Sequence, residues 1–313
     1  MKIVFLGTPE FARPSLERLI QAGHEILAVY TQPDRPSGRG RQLTAPPVKQ
    51  AALKHHLPVR QPERIRNPEV VAELAELRPE VMVVVGYGQI IPQSIIDIPP
   101  LGIINVHASL LPKYRGAAPV QWAIARGETE TGVTTMRIDA GLDTGDILLQ
   151  RATPIHPEED AVSLAARLGE LGAELLVETL DGLEQGTIVP LKQDHSQASY
   201  APPLRKEDGL VDWRLPALAI HNRVRGFVPW PGCHTRFRNR ELLIWKSRPS
   251  GELIEGQPGK LEVRDRRLLV CCGRNTVLEL LDLQLEGRKR ISAGEFLSGQ
   301  HVETGEMLGE DDR

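Results

Sequence analysis

Val81-Met82-Val83-Val84-Val85-Gly86-Tyr87-Gly88, followed at residues 102–107 by Gly-Ile-Ile-Asn-Val-His, decides how this chain folds. Val81–Val85 is β-branched throughout except Met82 and is apolar at every position, which predicts a strand buried on both faces. Ile103–His107 predicts a second strand. Strand and helix signals alternate outward from these two. Ile3–Leu6 and Ile26–Thr31 predict strands. Between them, Pro9–Ala22 predicts a helix with Thr8 as its cap and Pro9 at its first position. Pro47–His56, Pro68–Leu77, Ala118–Arg126 and Ala161–Leu183 carry helical spacing, and Val133–Ile138 and Ile147–Ala152 predict strands. The alternation implies an α/β fold, a doubly wound Rossmann-like sheet. Such sheets bind ligands at the C-terminal ends of their strands, beside a switch point. Asn105 and His107 fall at such an end.

The pattern changes near residue 187. A catalytic domain is expected over 1–187, a polar, proline-bearing linker over 188–205 and a second domain over 206–313. In the second domain an early helix (Pro216–Arg225) precedes short strands at Leu242–Lys246, Lys260–Val263, Arg267–Cys272 and Thr276–Leu285. That spacing suits a small C-terminal β-barrel, OB-like in size. The acidic tail from Glu303 to Arg313 is expected to fray.

Composition narrows the function. With 41% apolar residues and a net charge of −3 over 313 residues, the chain reads as a globular protein without a global nucleic-acid signature. Cys233, Cys271 and Cys272 have no metal-ligand spacing, so reduced thiols, no metal and a cytoplasmic location are expected. No segment approaches 18 apolar residues, and no membrane association is expected. Gly7-Thr8-Pro9 lacks the glycines of a dinucleotide turn, and Pro9 removes an amide donor.

Local chemistry is richer. On a strand, Asn105 and His107 point to the same side. An amide can stabilise a developing oxyanion, and an imidazole can move a proton near neutral pH. Asp139, Asp143 and Asp146, in Asp-Ala-Gly-Leu-Asp-Thr-Gly-Asp, compete to orient that imidazole. Gln32–Pro47 is a 16-residue connection with three arginines, where about 2–6 residues are usual. Arginine suits phosphate or base-edge contact. Five arginines and no acid lie between Arg223 and Arg240, interleaved with Phe227, Trp230 and Phe237. That mixture suits a nucleic-acid backbone, and alternating arginines suit the wet face of a strand equally well. The loop Gly88-Gln89-Ile90 after the strongest strand is placed to line a ligand slot.

Asn105-x-His107, Ser109-Leu110-Leu111-Pro112-Lys113-Tyr114-Arg115-Gly116 and Asp143-Thr144-Gly145 together resemble the 10-formyltetrahydrofolate-dependent formyltransferases, most closely those acting on methionyl-tRNA. The resemblance implies Asn105, His107 and Asp143 as the catalytic trio. It implies 10-formyltetrahydrofolate as co-substrate without a metal, held by Ser109, Leu110, Leu111 and Pro112, with Gly88, Gln89 and Ile90 nearby. It implies initiator methionyl-tRNA as partner of a monomer, with Arg39 and Arg41 at the acceptor end and Arg236, Arg238 and Arg240 on a tRNA-holding barrel. Two alternatives stand beside it: the same chemistry on a small amine (a sugar nucleotide or purine precursor), and a non-catalytic RNA-binding protein.

Overall fold

The computed structural model of the chain describes residues 1–37 and 42–309. Two compact units form, each from discontinuous stretches. The first comprises Met1–Pro119, Glu130–Pro154 and Leu164–Ala201. The second comprises Val120–Thr129, Ile155–Ser163 and the chain from Pro202 onward.

The first unit is built on strands β1 (Lys2–Gly7), β2 (Glu25–Tyr30), β5 (Val59–Arg60), β6 (Val81–Val85), β7 (Ile103–His107), β8 (Glu130–Arg137) and β9 (Ile147–Pro154). Between β2 and β5, a short antiparallel ribbon of β3 (Arg35–Ser37) and β4 (Gln42–Thr44) stands apart. The main sheet has the order β5-β2-β1-β6-β7-β8-β9. From β5 to β7 all neighbours are parallel, whereas β8 runs antiparallel to both β7 and β9. The switch point falls between β1 and β6, as the α/β reading expects.

Period two sorts the apolar side chains onto two faces. Val81, Val83, Val85, Ile104 and Val106 join the core with helices α1 (Arg13–Gln21), α2 (Pro47–Lys54) and α6 (Ala161–Glu184). Met82, Val84 and Ile103 join the opposite core with α3 (Pro68–Glu76) and α4 (Gln93–Ile96). Gly172 lets α6 sit directly on β7. A Cβ there would lie 2.7 Å from Val106 Cγ1.

Thr8 does not cap the first helix. Its hydroxyl donates to the Tyr87 carbonyl (3.0 Å) and accepts from the Gln32 amide (3.3 Å), tying three strand ends together. Pro9 instead leads into a single 3₁₀ turn that continues as α1. Residues 188–205 are no free tether over most of their length. Leu191 and Ile147 exchange two 2.8 Å backbone hydrogen bonds, Gln193 is buried, and Ala201 hydrogen-bonds Arg115.

The second unit holds helix α5 (Pro119–Ala125) for most of its length, α7 (Ala217–Gly226), α8 (Ala293–Gln300) and an antiparallel sheet. Its strands are β10 (Cys233–Phe237), β11 (Arg240–Leu253), β12 (Leu261–Arg264), β13 (Arg267–Cys271), β14 (Thr276–Leu285) and β15 (Ile291–Ser292). The order is β10-β11-β14-β13-β12, with β15 on β14. Register shifts near Ile244, Lys246 and Pro249 bend the long β11, so the sheet curls around a core that includes Phe227, Phe237, Leu280 and Phe296. The tail does not fray where it is described. Gly305, Glu306 and Leu308 pair with Leu261 and Gly259, and the Gly309 amide reaches the Arg236 carbonyl (2.9 Å). The tail thereby spans the gap between β12 and β10 that the strands leave open. Buried Leu308 explains why an acidic segment orders here.

Glu279 on β14 is nearly buried and meets Arg248 (2.8 Å) and Arg267 (3.0 Å). Burial opposes its charged form, but the two guanidinium groups outweigh that and hold its carboxyl below the usual range.

Two outcomes follow for stability. Gly172→Ala gains helix propensity but overpacks Val106, a stiff β-branched neighbour, and should destabilise the protein by about 1–2 kcal/mol in chemical denaturation. Adding Val106→Ala should recover part of that loss. For Glu279 the depressed folded pKa sets the sign: its contribution is present above the unfolded value of about 4.3 and fades as pH falls through the folded value. The stability difference between wild type and Glu279→Gln should therefore be constant near neutrality and shrink below about pH 4.

Candidate active site

The C-terminal end of β7 delivers the first two groups. Ile104 and Val106 are spent in the core, so Asn105 and His107 share the other side of the strand. The Asn105 carboxamide is half-buried and has no hydrogen-bond partner among the described residues. A donor held on a rigid strand with nothing to donate to is preorganised for an incoming oxygen.

His107 is buried. Its Nε2 lies 2.9 Å from the Tyr114 carbonyl oxygen. A carbonyl only accepts, so Nε2 carries the proton, and in the neutral ring Nδ1 is left with a lone pair. Nδ1 faces Asp143 Oδ2 at 3.7 Å, beyond hydrogen-bond reach. Two acceptors facing each other gain nothing until Nδ1 takes up a proton. The carboxylate then stabilises the imidazolium. The pair is arranged to receive a proton at Nδ1.

Asp143 stands in the left-handed region (φ 51°), which an Asp adopts more readily than most residues. Its Oδ2 also accepts from the Gly116 amide (2.8 Å). Gly116 (φ 115°) admits no side chain, since a Cβ would lie 2.7 Å from the Ala201 carbonyl. Of the competing acids, Asp139 closes its own turn through Gly141 (3.0 Å) and Thr144 (2.7 Å). Of the three, Asp143 alone meets His107.

The expected folate segment divides into frame and surface. Buried Ser109 donates to the Lys113 carbonyl (2.6 Å), and its own carbonyl accepts from Thr134 Oγ1 (2.6 Å). Leu111 is core, packed with Met136 and Ile147. Its amide donates to Thr134 Oγ1 (3.1 Å) and its carbonyl accepts from Gln150 (2.9 Å). Leu110 and Pro112 keep partly open side chains. In the neighbouring loop, Gln89 turns inward: Oε1 accepts from the Ile65 amide (2.7 Å) and Nε2 donates to Pro62 and Glu63 (both 3.3 Å). Its side chain is a brace. Ile90 is 91% exposed, and Gly88 takes a positive φ of 86°.

The basic candidates scatter. Arg39 and Arg41 lie outside the described residues. Arg236, Arg238 and Arg240 do not share one strand face, because Arg238 and Asn239 (φ 47° and 62°) form the turn between β10 and β11. Arg238 grips Glu306 with two 2.7 Å bonds and stacks on Phe237, and Arg240 donates to the Glu286 carbonyl (2.6 Å). Arg236 is exposed. Among the described residues no cluster of His, Cys, Asp or Glu suits a metal, and no helix is long and apolar enough to cross a membrane.

Three participants escape sequence reading. Arg115 stands inside a recognised motif, but nothing there says that its guanidinium is buried. Thr134 becomes a hub only because antiparallel pairing sets it opposite His107. Gln193 lies in a stretch with no periodicity at all.

Residues 1–180 match the family described as Formyl transferase, and residues 203–301 match Formyl transferase, C-terminal domain. The chain belongs to the formyl transferase family. Among relatives of this formyl transferase, a methionyl-tRNA formyltransferase from Solibacter usitatus is 63% identical over 310 residues, covering 99% of both chains. Another from Koribacter versatilis is 56% identical, again over 99% of both. Among solved structures, an N-formyltransferase from Helicobacter canadensis, in complex with folinic acid and dTDP-3-aminofucose, superposes with a TM-score of 0.68 at 21% identity. It covers 90% of this formyl transferase and 98% of that chain. HypX from Aquifex aeolicus, in complex with tetrahydrofolic acid, gives 0.64 at 21% identity, over 100% of this chain and 51% of its own. At that identity the likeness concerns the fold.

Asn105→Ala should lower turnover by roughly 10²–10³, the range for removing one oxyanion donor. His107→Ala should lower it by about 10²–10⁴. Substrate KM values should move little, since both effects belong to the transition state. Single-turnover formyl transfer with folded variants checks this, and near-normal turnover of Asn105→Ala would remove it from catalysis.

Proposed function

We propose that this formyl transferase moves the formyl group of 10-formyltetrahydrofolate onto the free α-amino group of initiator methionyl-tRNA. The observation that carries the reading is the unpartnered Asn105 carboxamide beside His107 Nδ1, in a chain that aligns end to end with methionyl-tRNA formyltransferases. The residues present suit a folate. Ile90, Leu110 and Pro112 offer open apolar surface for a flat ring, and the Asn105 amide is a donor still in want of an acceptor.

The formylated folate supplies an activated formyl carbon. Attack by the amine forms a C–N bond and pushes charge onto the formyl oxygen, where Asn105 Nδ2 donates. The amine loses a proton, which His107 Nδ1 accepts while Asp143 stabilises the ring's charge. His107 then returns that proton to the nitrogen that leaves as the old C–N bond breaks. No redox partner is required.

A polymeric acceptor also needs a holding surface. In this proposal Arg39 and Arg41 meet the acceptor end, and the exposed Arg236 with its neighbours meets phosphates. Arg238 contributes chiefly by fixing the barrel's tail, since its guanidinium is fully engaged. A monomer in the cytoplasm completes the reading.

The test supplies the full chain with 10-formyltetrahydrofolate and methionyl-initiator tRNA and looks for formylmethionine released by deacylation. An amino-sugar nucleotide is offered in parallel. Efficient formylation of the sugar and none of the tRNA would transfer the assignment to a small amine. Intact protein is needed, because a cut near residue 194 would sever residues that pack within the first unit. Two arginine variants then separate holding from reading. Arg236→Ala should weaken all tRNAs alike and reduce the salt slope of binding by about one. Arg39→Ala should narrow the rate gap between initiator and elongator methionyl-tRNA.

A further inference from the structure

The acid of the trio sits on a surface loop, and a buried carboxamide from a distant segment holds that loop in place. Gln193 Nε2 donates to the carbonyls of Asp143 (2.9 Å) and Gly145 (2.7 Å). Its Oε1 accepts from Arg115 Nε (3.1 Å) and Nη2 (2.6 Å). Both donors and both acceptor positions of one amide are thus used. The orientation is also dictated: carbonyls can only accept, and a guanidinium can only donate.

Arg115 is 2% exposed, yet among the described residues its guanidinium meets only Gln193 and His195 Nδ1 (3.2 Å) and no carboxylate. Glutamate at 193 would gain an ion pair with Arg115. It would also press a carboxylate oxygen against two carbonyl oxygens. The amide is the group that satisfies both sides.

The same segment grips the other wall of the site. Ser199 accepts from the Tyr114 amide through Oγ (2.9 Å) and from the Arg115 amide through its carbonyl (2.8 Å). Tyr114 is the residue whose carbonyl orients His107. Residues 191–201 therefore form a strap over both loops that meet at the His107–Asp143 pair.

We propose that Gln193 is a positioning residue for formyl transfer, acting through Asp143 by holding residues 143–145 in the strained turn that aims the carboxylate at His107. The inference rests on the role given to Asp143 above. An Asp at φ 51° has an easier conformation available, and release of the two carbonyls lets the loop take it. The carboxylate then drifts from the ring it serves.

Full-length wild type, Gln193→Met, Gln193→Glu, Asp143→Ala and Gln193→Met/Asp143→Ala are compared in steady-state formylation of methionyl-initiator tRNA, with melting curves for each. Gln193→Met should lower kcat by about 10–10²-fold, as a misplacement of about 1 Å can. Both KM values should stay within about threefold, because the substrates' own contacts remain. In the Asp143→Ala background, Gln193→Met should cost less than about twofold more, since two residues acting as one unit do not multiply. Gln193→Glu should also be slow despite its ion pair. If Gln193→Met melts too low to assay, that variant carries the test alone. Wild-type kcat in either folded variant overturns the proposal, as does a fully multiplicative double mutant, which would mean general loosening. Normal turnover by Asp143→Ala is a separate outcome, which overturns the role of Asp143 itself and leaves the formylation assay on wild type to judge the overall function.

Discussion

A carbonyl oxygen accepts hydrogen bonds and never donates them. At Tyr114 that limitation places the proton of His107 on Nε2 and turns Nδ1 toward Asp143. Were the ring reversed, the carboxylate would meet a nitrogen already protonated in the neutral form, and the pair could only orient the ring. As built, the attraction grows as the proton arrives. The carbonyl's own position is secured by a backbone turn, with Tyr114 at φ 60°, and that turn is held by Ser199, 85 residues further along the chain. The tautomer of a buried ring thus depends on a segment with no regular structure for most of its length.

The antiparallel edge of the sheet matters for the same reason. Parallel strands β6 and β7 bring Asn105 and His107 to one rim. Because β8 runs the other way, its pairing sets Thr134 directly across from His107 and Met136 across from Asn105. Thr134 then donates to Ser109 and accepts from Leu111 and Gln150, which fixes the chain as it leaves β7. A hydroxyl is the smallest group that both donates and accepts, and here it continues the bonding past His107, where the β7–β8 ladder ends. The loop after β7 is therefore rigid at its root and open at Leu110 and Pro112.

The α/β class and the Asn105–His107 pair were legible from the sequence because each follows from periodicity. Val81–Val85 and Ile103–His107 match their strands residue for residue. Features set by long-range partners were not legible. Thr8 carries every local mark of a cap, yet its hydroxyl is claimed by Tyr87, 79 residues away. Arg236, Arg238 and Arg240 look like one face of a strand until the turn at Arg238-Asn239 parts them. Glu303–Gly309 looks like a solvated tail until Glu306 finds Arg238 and Leu308 finds the core. In each case local composition is the same for a free segment and a bound one. Only the partner, distant in sequence, distinguishes them.

The closing of the barrel by residues 305–309 also sets a timetable for biosynthesis. Backbone groups of β12 and β10 receive their last partners from the chain's final described residues. Those residues are made after every strand of the sheet. The strands that they join therefore leave the ribosome as open edges, the kind that pair with whatever is near. The last stretch of the first unit ends at Ala201 and is made well before residues 305–309. Helix α5 of the second unit, whose Trp122 and Ala125 pack against the barrel's core, is made early and must wait. The nascent chain thus carries a completed first sheet and an unsealed barrel until residues 305–309 are made.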